Sequence, residues 1–222
     1  MHTLPCLYQK NHVFTEVDGE LWLIDTGAPT SFGATGSVCV AGEQFDIEKK
    51  HLGLTADTLS AFVGVPCSGL LGGDILGRFD LIFDVAGGTL SVSDEELAHG
   101  GHEVCLDEFM GIPIVTAHIG DADFRMFFDT GAQVSYLQDD TLADFPPAGR
   151  VNDFYPGLGR FETETHEVPV GIGGVPFTLR CGTLPDLLGA TLMMAGAKGI
   201  IGNSILRDRV VAYFPRRRVL YL

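Results

Sequence analysis

The feature that most constrains this chain is a short stretch that occurs twice. The first copy reads LWLIDTGA over residues 21–28, and the second reads FRMFFDTGA over residues 124–132. In each copy an apolar, strand-like run ends at a carboxylate, Asp25 or Asp129. A carboxylate placed directly after buried residues is costly unless its charge is shared or hydrogen-bonded. Two such carboxylates, one in each half of the chain, predict a single paired site.

Three further matches, in the same order, indicate that the two halves of the chain repeat one plan. An internal repeat of this kind predicts two similar structural units. We therefore expect an N-terminal lobe over residues 1–95, a polar linker over 96–108 and a C-terminal lobe over 109–222. The matched pairs are LPCL (4–7) with IPIV (112–115), VAGEQFDI (40–47) with IGGVPFTL (172–179), and GLLGGDIL (69–76) with GIIGNSIL (199–206).

The composition favours an all-β protein. The chain has 222 residues, which is enough to bury a substantial core. Apolar residues make up 45% and charged residues 19%, which excludes a disordered chain. The 29 glycines and 11 prolines separate short apolar runs, and long helical patterns are scarce. We expect many short strands and only a few short helices.

Charge and cysteine content limit the partners and the compartment. A formal net charge of −15 repels phosphates and anionic lipid, so we expect neither nucleic acid nor a membrane as partner. No apolar stretch has the length needed to span a bilayer, and residues 1–6 lack the pattern of a signal peptide. With five cysteines and no leader, reduced thiols and a cytoplasmic location are expected.

Local patterns predict the main elements of the first half. Thr55 precedes a helical pattern and is a candidate N-cap, because its hydroxyl can accept a bond from the first turn. The predicted elements are strands near 3–8 and over 13–24, a hairpin over 37–47, a helix over 55–63 and a closing hairpin over 81–92.

The second half differs by a longer segment between its Asp129 loop and its last hairpin. A short helix is predicted over 138–145 and a long hairpin over 151–168. The hairpin tip, residues 155–159, contains one proline and two glycines, which suit a tight turn. Because the hairpin carries too few apolar residues to be core, we expect it to move.

Taken together, these motifs make each half resemble one subunit of a retroviral-type aspartic protease. The signals are IDTGA (24–28) with LLG (70–72), and FDTGA (128–132) with IIG (200–202). The tip YPGLGRF (155–161) also resembles the glycine-rich flap of that family. The resemblance covers nearly the whole chain. It implies a bilobal acid-protease fold with two pseudo-symmetric, β-barrel-like lobes.

The chain departs from that family in two ways. It supplies both halves in one polypeptide, which implies activity as a monomer. Its single candidate flap, residues 150–168, lies in the second half, because the first half is too short between Asp25 and Leu70 to hold one.

The resemblance implies a catalytic dyad of Asp25 and Asp129 that shares one proton. The ionised member would take a proton from water, and the protonated member would donate to the peptide carbonyl. No cofactor and no metal is required. Other implied substrate contacts are Leu70, Ile200, Tyr155, Gly157, Leu158, Phe32 and Tyr136.

The resemblance also assigns roles to the neighbours of the dyad. Thr26 and Thr130 would hydrogen-bond across the lobe interface, and Gly27 and Gly131 would let the backbone approach the carboxylates. Alanines follow the glycines where pepsin-like enzymes carry Ser or Thr. Losing a hydroxyl donor to the ionised dyad should raise its apparent pKa, so a pH optimum less acidic than that of a gastric protease is expected. The two alanines are Ala28 and Ala132.

The sequence thus predicts an aspartic endopeptidase that acts on extended peptide or protein substrates. One alternative is a peptide-binding or scaffolding protein on the same fold without turnover. Another is a processing protease of narrow specificity.

Three other patterns are interpreted as structural. His99, His102 and Cys105 have the spacing of metal ligands but lie in the predicted linker with no fourth ligand. GATGS (33–37) lacks the lysine of a phosphate loop and is read as a turn. The basic run 216–218 is read as a solvated hairpin tip, with docking to an acidic surface as the alternative.

Overall fold

The computed structural model describes the backbone of residues 1–222 and the side chains of residues 1–189 and 192–222. Half of the chain, 50%, is strand and 14% is helix, which confirms a mainly β protein with few short helices. In chain order the strands are β1 (His2–Gln9), β2 (His12–Val17), β3 (Glu20–Ile24), β4 (Phe32–Gly33), β5 (Ser37–Val40), β6 (Glu43–Asp46), β7 (Gly69–Leu71), β8 (Asp80–Asp84), β9 (Thr89–Ser93), β10 (Glu103–Cys105), β11 (Asp107–Phe109), β12 (Ile112–Ile119), β13 (Ala122–Phe128), β14 (Ser135–Leu137), β15 (Pro147–Tyr155), β16 (Gly159–Ile172), β17 (Val175–Gly182), β18 (Gly199–Ile201), β19 (Val211–Phe214) and β20 (Val219–Tyr221).

The helices are short, and one of those predicted is a 3-10 helix. Thr55 caps the first helix as predicted, because its side chain accepts a hydrogen bond from the backbone N–H of Thr58. The short helix predicted over 138–145 is present as the 3-10 helix Asp140–Asp144. The helices are α1 (Ala56–Val63), α2 (Gly73–Leu76) and α3 (Asp186–Met194), and further 3-10 turns lie at Asn203–Leu206 and Pro215–Arg217.

The strands form two large mixed sheets and one small sheet, β5–β6. The first large sheet has the order β10-β20-β19-β8-β9-β1-β2-β3-β7-β4. The second has the order β11-β12-β13-β18-β14-β17-β16-β15. Strands β19 and β20 follow the second sheet in sequence but belong to the first. The sheets therefore do not divide the chain at the linker expected over residues 96–108.

Part of that linker is itself strand. β10 pairs antiparallel with β20, and β11 pairs antiparallel with β12. The polar composition of the segment predicts a loop. The partner of β10 lies far away in sequence, so no local pattern reveals that edge strand, whereas β11 and β12 form a hairpin that turns at Met110 and Gly111.

The single strand predicted over 13–24 is wrong, because the chain turns within it. β2 and β3 form a hairpin whose turn residues, Asp18 and Gly19, have φ values of 52° and 79°. An Asp-Gly pair is a strong signal for a tight hairpin turn, since both positions need positive φ. The predicted hairpins over 37–47 and 81–92 are confirmed as β5–β6 and β8–β9.

The basic run at 216–218 forms a hairpin tip, as the sequence predicts, and Arg216 and Arg218 are exposed, but two of its guanidinium groups pair with a buried carboxylate. Asp80 is fully buried, and the guanidinium groups of Arg216 and Arg217 both contact its carboxylate. The backbone N–H of Leu97 also donates to Asp80, at 2.9 Å. A buried carboxylate needs such partners because an unpaired charge in the interior is costly. These bonds fasten the turn between β19 and β20 to the first half of the chain.

One continuous core joins the two sheets, and two smaller apolar clusters lie beside it. The continuous core includes Phe83 and Val92 of the first sheet and Phe128 and Val170 of the second. One smaller cluster contains α1 and β7 residues, and the other contains α3 and β18 residues. The two small clusters are counterparts in the repeat, and the candidate site lies between them.

Candidate active site

Asp25 and Asp129 occupy equivalent places in the repeat. Each directly follows a strand that pairs in parallel with a short strand of its own half: β3 with β7, and β13 with β18. The backbone N–H of Asp25 donates to Leu71, and that of Asp129 donates to Ile201, both at 3.0 Å. The same local geometry therefore delivers both carboxylates to the junction of the two sheets.

The loops that carry the two carboxylates are held together by a symmetric set of buried hydrogen bonds. The N–H of Thr26 donates to Oγ1 of Thr130, and the N–H of Thr130 donates to Oγ1 of Thr26, each at 3.0 Å. Each hydroxyl then donates across the junction, Thr26 to the carbonyl of Phe128 and Thr130 to that of Ile24. The cross-junction bonds implied by the resemblance are present. They fix the separation of the two loops.

Each carboxylate accepts two backbone bonds within its own loop. Oδ1 of Asp25 accepts from the N–H groups of Gly27 and Ala28, both at 2.9 Å. Oδ1 of Asp129 accepts from Gly131 and Ala132, at 2.9 and 3.1 Å. All four bonds end on Oδ1, so the two loops hold their carboxyls in the same way.

The glycines of the two loops allow the carboxyls to meet. A methyl group at Gly131 would lie 2.5 Å from Cγ of Asp25, and one at Gly27 would overlap the carboxyl of Asp129 in the same way. The two carboxyl groups lie in hydrogen-bonding contact with each other. Only a residue without a Cβ fits between each loop and the opposite Asp.

The pair titrates abnormally. Both side chains keep some accessible surface at the floor of a narrow, largely apolar cavity. Burial raises the pKa of Asp25, and burial together with the neighbouring Asp25 charge raises the pKa of Asp129 well above its usual range. Two carboxylates in contact cannot both ionise readily, so the pair holds one proton where an isolated Asp has lost its own.

Two side chains outside the repeated Asp-Thr-Gly-Ala motif also hydrogen-bond to the backbone of the Asp129 loop. Nδ1 of the buried His12 donates to the carbonyl of Gly131 at 3.1 Å, and burial lowers the pKa of this histidine. The amide of Asn203 donates to the carbonyls of Asn11 and Thr130, at 2.9 and 3.2 Å. These bonds join β2 and the turn before it to the second Asp loop.

The long hairpin, β15 and β16 with their connecting tip, lies over the two carboxylates and is anchored to the second half. Nε2 of Gln133 donates to the carbonyl of Asn152 at 2.9 Å. The hydroxyl of Tyr136 donates to the buried carboxylate of Asp153. Burial and the adjacent Asp153 charge raise the pKa of this hydroxyl, so it remains a donor.

The hairpin also crosses to the first half. The rings of Phe154 and Phe62 of α1 stack with 4.6 Å between centroids and 7° between planes. The guanidinium of Arg160 lies 5.2 Å from the centre of the Phe62 ring and donates to the carbonyl of Ala61 at 2.9 Å. The sequence predicts a mobile hairpin, and in the structure it bridges the two halves.

Two cavities flank the carboxyl pair. The α1-side cavity, about 130 Å³, reaches Leu23, Leu59 and Leu70 of the first half. The α3-side cavity, about 260 Å³, reaches Phe127 and α3 of the second half. Residues that line both are Gly27, Pro29, His51, Leu52, Asp129, Tyr155, Leu184 and Ile200.

Some predicted substrate contacts line these cavities and others do not. Leu70 and Tyr136 line the α1-side cavity, and Ile200 and Tyr155 line both. Phe32 does not, because it is 1% exposed and lies in the α1 cluster of the core. Gly157 and Leu158 also lie outside both linings. They form the exposed tip turn, in which the N–H of Leu158 donates to the carbonyl of Tyr155.

Several lining residues have no motif of their own. Leu23 and Phe127 stand two residues before each Asp, and strand alternation places such residues on the same face, so this signal was present. Asp153 and Phe154 lie within the predicted flap, but the sequence singles out neither. His51 reaches the site only through tertiary folding, and nothing in its local sequence indicates it.

Among the side chains that the structure describes, no three His, Cys, Asp or Glu residues come together in a way that could hold a metal ion. None of the helices formed by the described residues has the length and apolar character needed to cross a membrane. No protein-family model matches this chain, and no curated protein matches it.

Proposed function

We propose that the protein is an aspartic endopeptidase that hydrolyses extended peptides with a water activated by Asp25 and Asp129. The observation that carries the proposal is the contact between two carboxyls from equivalent loops, held by the Thr26–Thr130 bonds. The duplicated plan of the chain supports a bilobal acid-protease fold. The long hairpin lies over the carboxyl pair, which supports a site that is shielded from bulk water.

The proposed reaction needs only groups that the chain supplies. In the pH range of activity the pair holds one proton and one negative charge. The ionised carboxylate takes a proton from a water bound between the two groups as that water attacks the peptide carbonyl. The protonated carboxyl donates to the carbonyl oxygen, and collapse of the tetrahedral species returns a proton to the leaving amine. The raised pKa values support activity at a less acidic pH than that of a gastric protease.

The test compares the wild-type protein with Asp25→Asn and Asp129→Asn on a mixed peptide library, with new termini read by mass spectrometry. We expect cleavage by the wild type and a loss of roughly 10³-fold or more in each variant, because the two carboxyls act as a unit. Asp57→Asn, an exposed carboxylate in the first turn of α1, is the matched control and should cleave normally.

Two results would overturn the proposal. One is cleavage that survives both dyad substitutions. The other is the lack of any cleavage by the wild type, which, if peptides still bind, would favour the peptide-binding alternative. Cleavage at very few library positions would instead support the processing protease of narrow specificity. A rate optimum at or below about pH 3, where an isolated Asp is mostly protonated, would contradict the expected pH range.

A further inference from the structure

The two cavities beside the carboxyl pair are counterparts in the repeat. Leu23 and Leu70 line the α1-side cavity alone; by position relative to the two Asp residues, their counterparts are Phe127, which lines the α3-side cavity alone, and Ile200, which lines both. Each cavity also meets one short helix, α1 or α3. In a symmetric site the two cavities would bind the groups on either side of the cleaved bond equally.

The long hairpin removes that symmetry by covering the α1 side. Asp153, Phe154 and Phe161 of the hairpin line the α1-side cavity, whereas Tyr155 alone among the described hairpin residues lines the α3-side cavity. The stack of Phe154 on Phe62 holds the hairpin against α1 on that side. The covered cavity measures about 130 Å³.

Less of the hairpin covers the α3 side. Between Asp25 and β7 the first half forms the small β5–β6 hairpin and α1, which do not reach the α3-side cavity, and a loop whose residues His51 and Leu52 do line it. That cavity measures about 260 Å³, twice the other, and Leu188 and Leu192 of α3 form part of its wall. Its rim carries the exposed side chains of Leu52 and Met110.

We propose that the protein selects substrates whose two residues at the cleaved bond differ in size. The α3 side binds the larger, apolar residue of the two, and the α1 side binds the smaller one. This inference rests on the proposed function, since it describes the same site. A well-packed cavity discriminates side chains by volume, and a difference of one or more methylene groups changes binding roughly 10- to 200-fold.

The test uses two non-hydrolysable hydroxyethylene peptides that are isomers, one with an Ala–Phe core and one with a Phe–Ala core, inside identical flanking residues. Calorimetry on the wild-type protein measures both dissociation constants. We expect one isomer to bind about 10-fold tighter or better. Leu188→Phe, which fills the larger cavity, should abolish the preference. Met193→Phe, on the exposed face of the same helix, should leave it unchanged.

A second variant covers the case in which Leu188→Phe does not fold. Phe62 is only partly buried, and Phe62→Ala removes the stack that holds the long hairpin against α1. It should reduce the preference by improving the binding of the weaker isomer. Equal binding of the two isomers, binding of neither, or a preference that both substitutions leave intact would overturn the inference.

Failure of this inference and failure of the proposed function give different results. Unequal binding of the isomers without cleavage of any peptide would support the size asymmetry and reject the hydrolytic step. Cleavage that depends on Asp25 and Asp129 but shows no size preference would reject the asymmetry and leave the hydrolysis in place.

Discussion

The hydroxyl of Tyr136 donates a buried hydrogen bond to the carboxylate of Asp153, and this bond connects β14 to the long hairpin that lies over the carboxyl pair. Tyr136 follows the Asp129 loop on β14, whereas Asp153 lies on β15 of the long hairpin. The next hairpin residue, Phe154, stacks on α1 of the other half. Neighbouring residues of one strand thus hold the hairpin to both halves.

Tyr136→Phe should weaken the attachment of the long hairpin to the second half of the chain. Because Asp153 is only 8% exposed, the substitution leaves a carboxylate oxygen without its donor. We expect the free energy of unfolding to fall by about 1–3 kcal/mol and amide exchange to accelerate over 147–155. Denaturant unfolding and hydrogen exchange measure the two effects. Tyr221→Phe, whose hydroxyl donates to the exposed Glu103, is the control and should change stability by less than about 0.5 kcal/mol. Identical exchange in both variants would contradict the role of Tyr136.

Asp129→Asn should stabilise the protein at neutral pH. The folded pair keeps a proton that an unfolded Asp, with a pKa near 3.8, has already released. Since the folded state binds more protons, the free energy of unfolding of the wild type falls as pH rises from about 4 to the raised pKa. The asparagine does not titrate, so its advantage should grow through that window.

The expected gain at pH 7 is of order 1 kcal/mol or more, or roughly 2–4 °C in Tm for each kcal/mol. Near pH 3.5 the wild type and the variant should unfold at similar temperatures. Asp57→Asn provides the baseline for loss of an exposed carboxylate. If Asp129→Asn has a lower Tm than the wild type at neutral pH, the close approach of the two carboxyls does not destabilise the folded protein.

Gly131→Ala should disrupt the carboxyl pair. The added methyl would lie 2.5 Å from Cγ of Asp25, so either the loop or the carboxyl must shift. We expect a loss of stability of about 1–3 kcal/mol and a matching loss of peptide cleavage. Gly36→Ala is the control, because a methyl there meets nothing within 4 Å. Thermal unfolding and peptide cleavage compare the two variants, and similar values for both would refute a tight approach of the loops.

Arg217→Met should destabilise the first sheet. The substitution leaves the fully buried Asp80 with one guanidinium instead of two, and removing one partner of a buried ion pair costs about 3 kcal/mol or more. Arg218 is exposed and belongs to no ion pair among the described residues, so Arg218→Met should be nearly neutral. Urea unfolding of the two variants decides the point, and equal midpoints would mean that Asp80 does not depend on Arg217.

The sequence predicts the carboxyl pair because its signals are local and repeated. Asp25 and Asp129 each follow an apolar strand and precede the same three residues, so one motif supplies both halves of the site. The capping of α1 by Thr55 is predictable for the same reason, since a side chain and the next turn of helix suffice.

The rest depends on contacts between segments distant in sequence. Phe62 looks like an ordinary residue of a short helix, and Phe154 like an ordinary strand residue, until the two halves pack. Phe32 has the apolar character of a pocket residue, but its β4 position turns it into the core. The run 216–218 has the composition of a solvated turn, and two of its arginines are held by Asp80 and by the backbone carbonyls of residues 94, 95 and 97, all distant in sequence.

The late position of β19 and β20 has a consequence for biosynthesis. β8 remains an open edge, and Asp80 an uncompensated anion, until the residues around 211–221 have been translated. At ordinary elongation rates the ribosome needs roughly 10 s to proceed from the first lobe to that point. The first sheet is therefore completed only after every strand of the second sheet has been made, although most of its own strands come earlier in the chain.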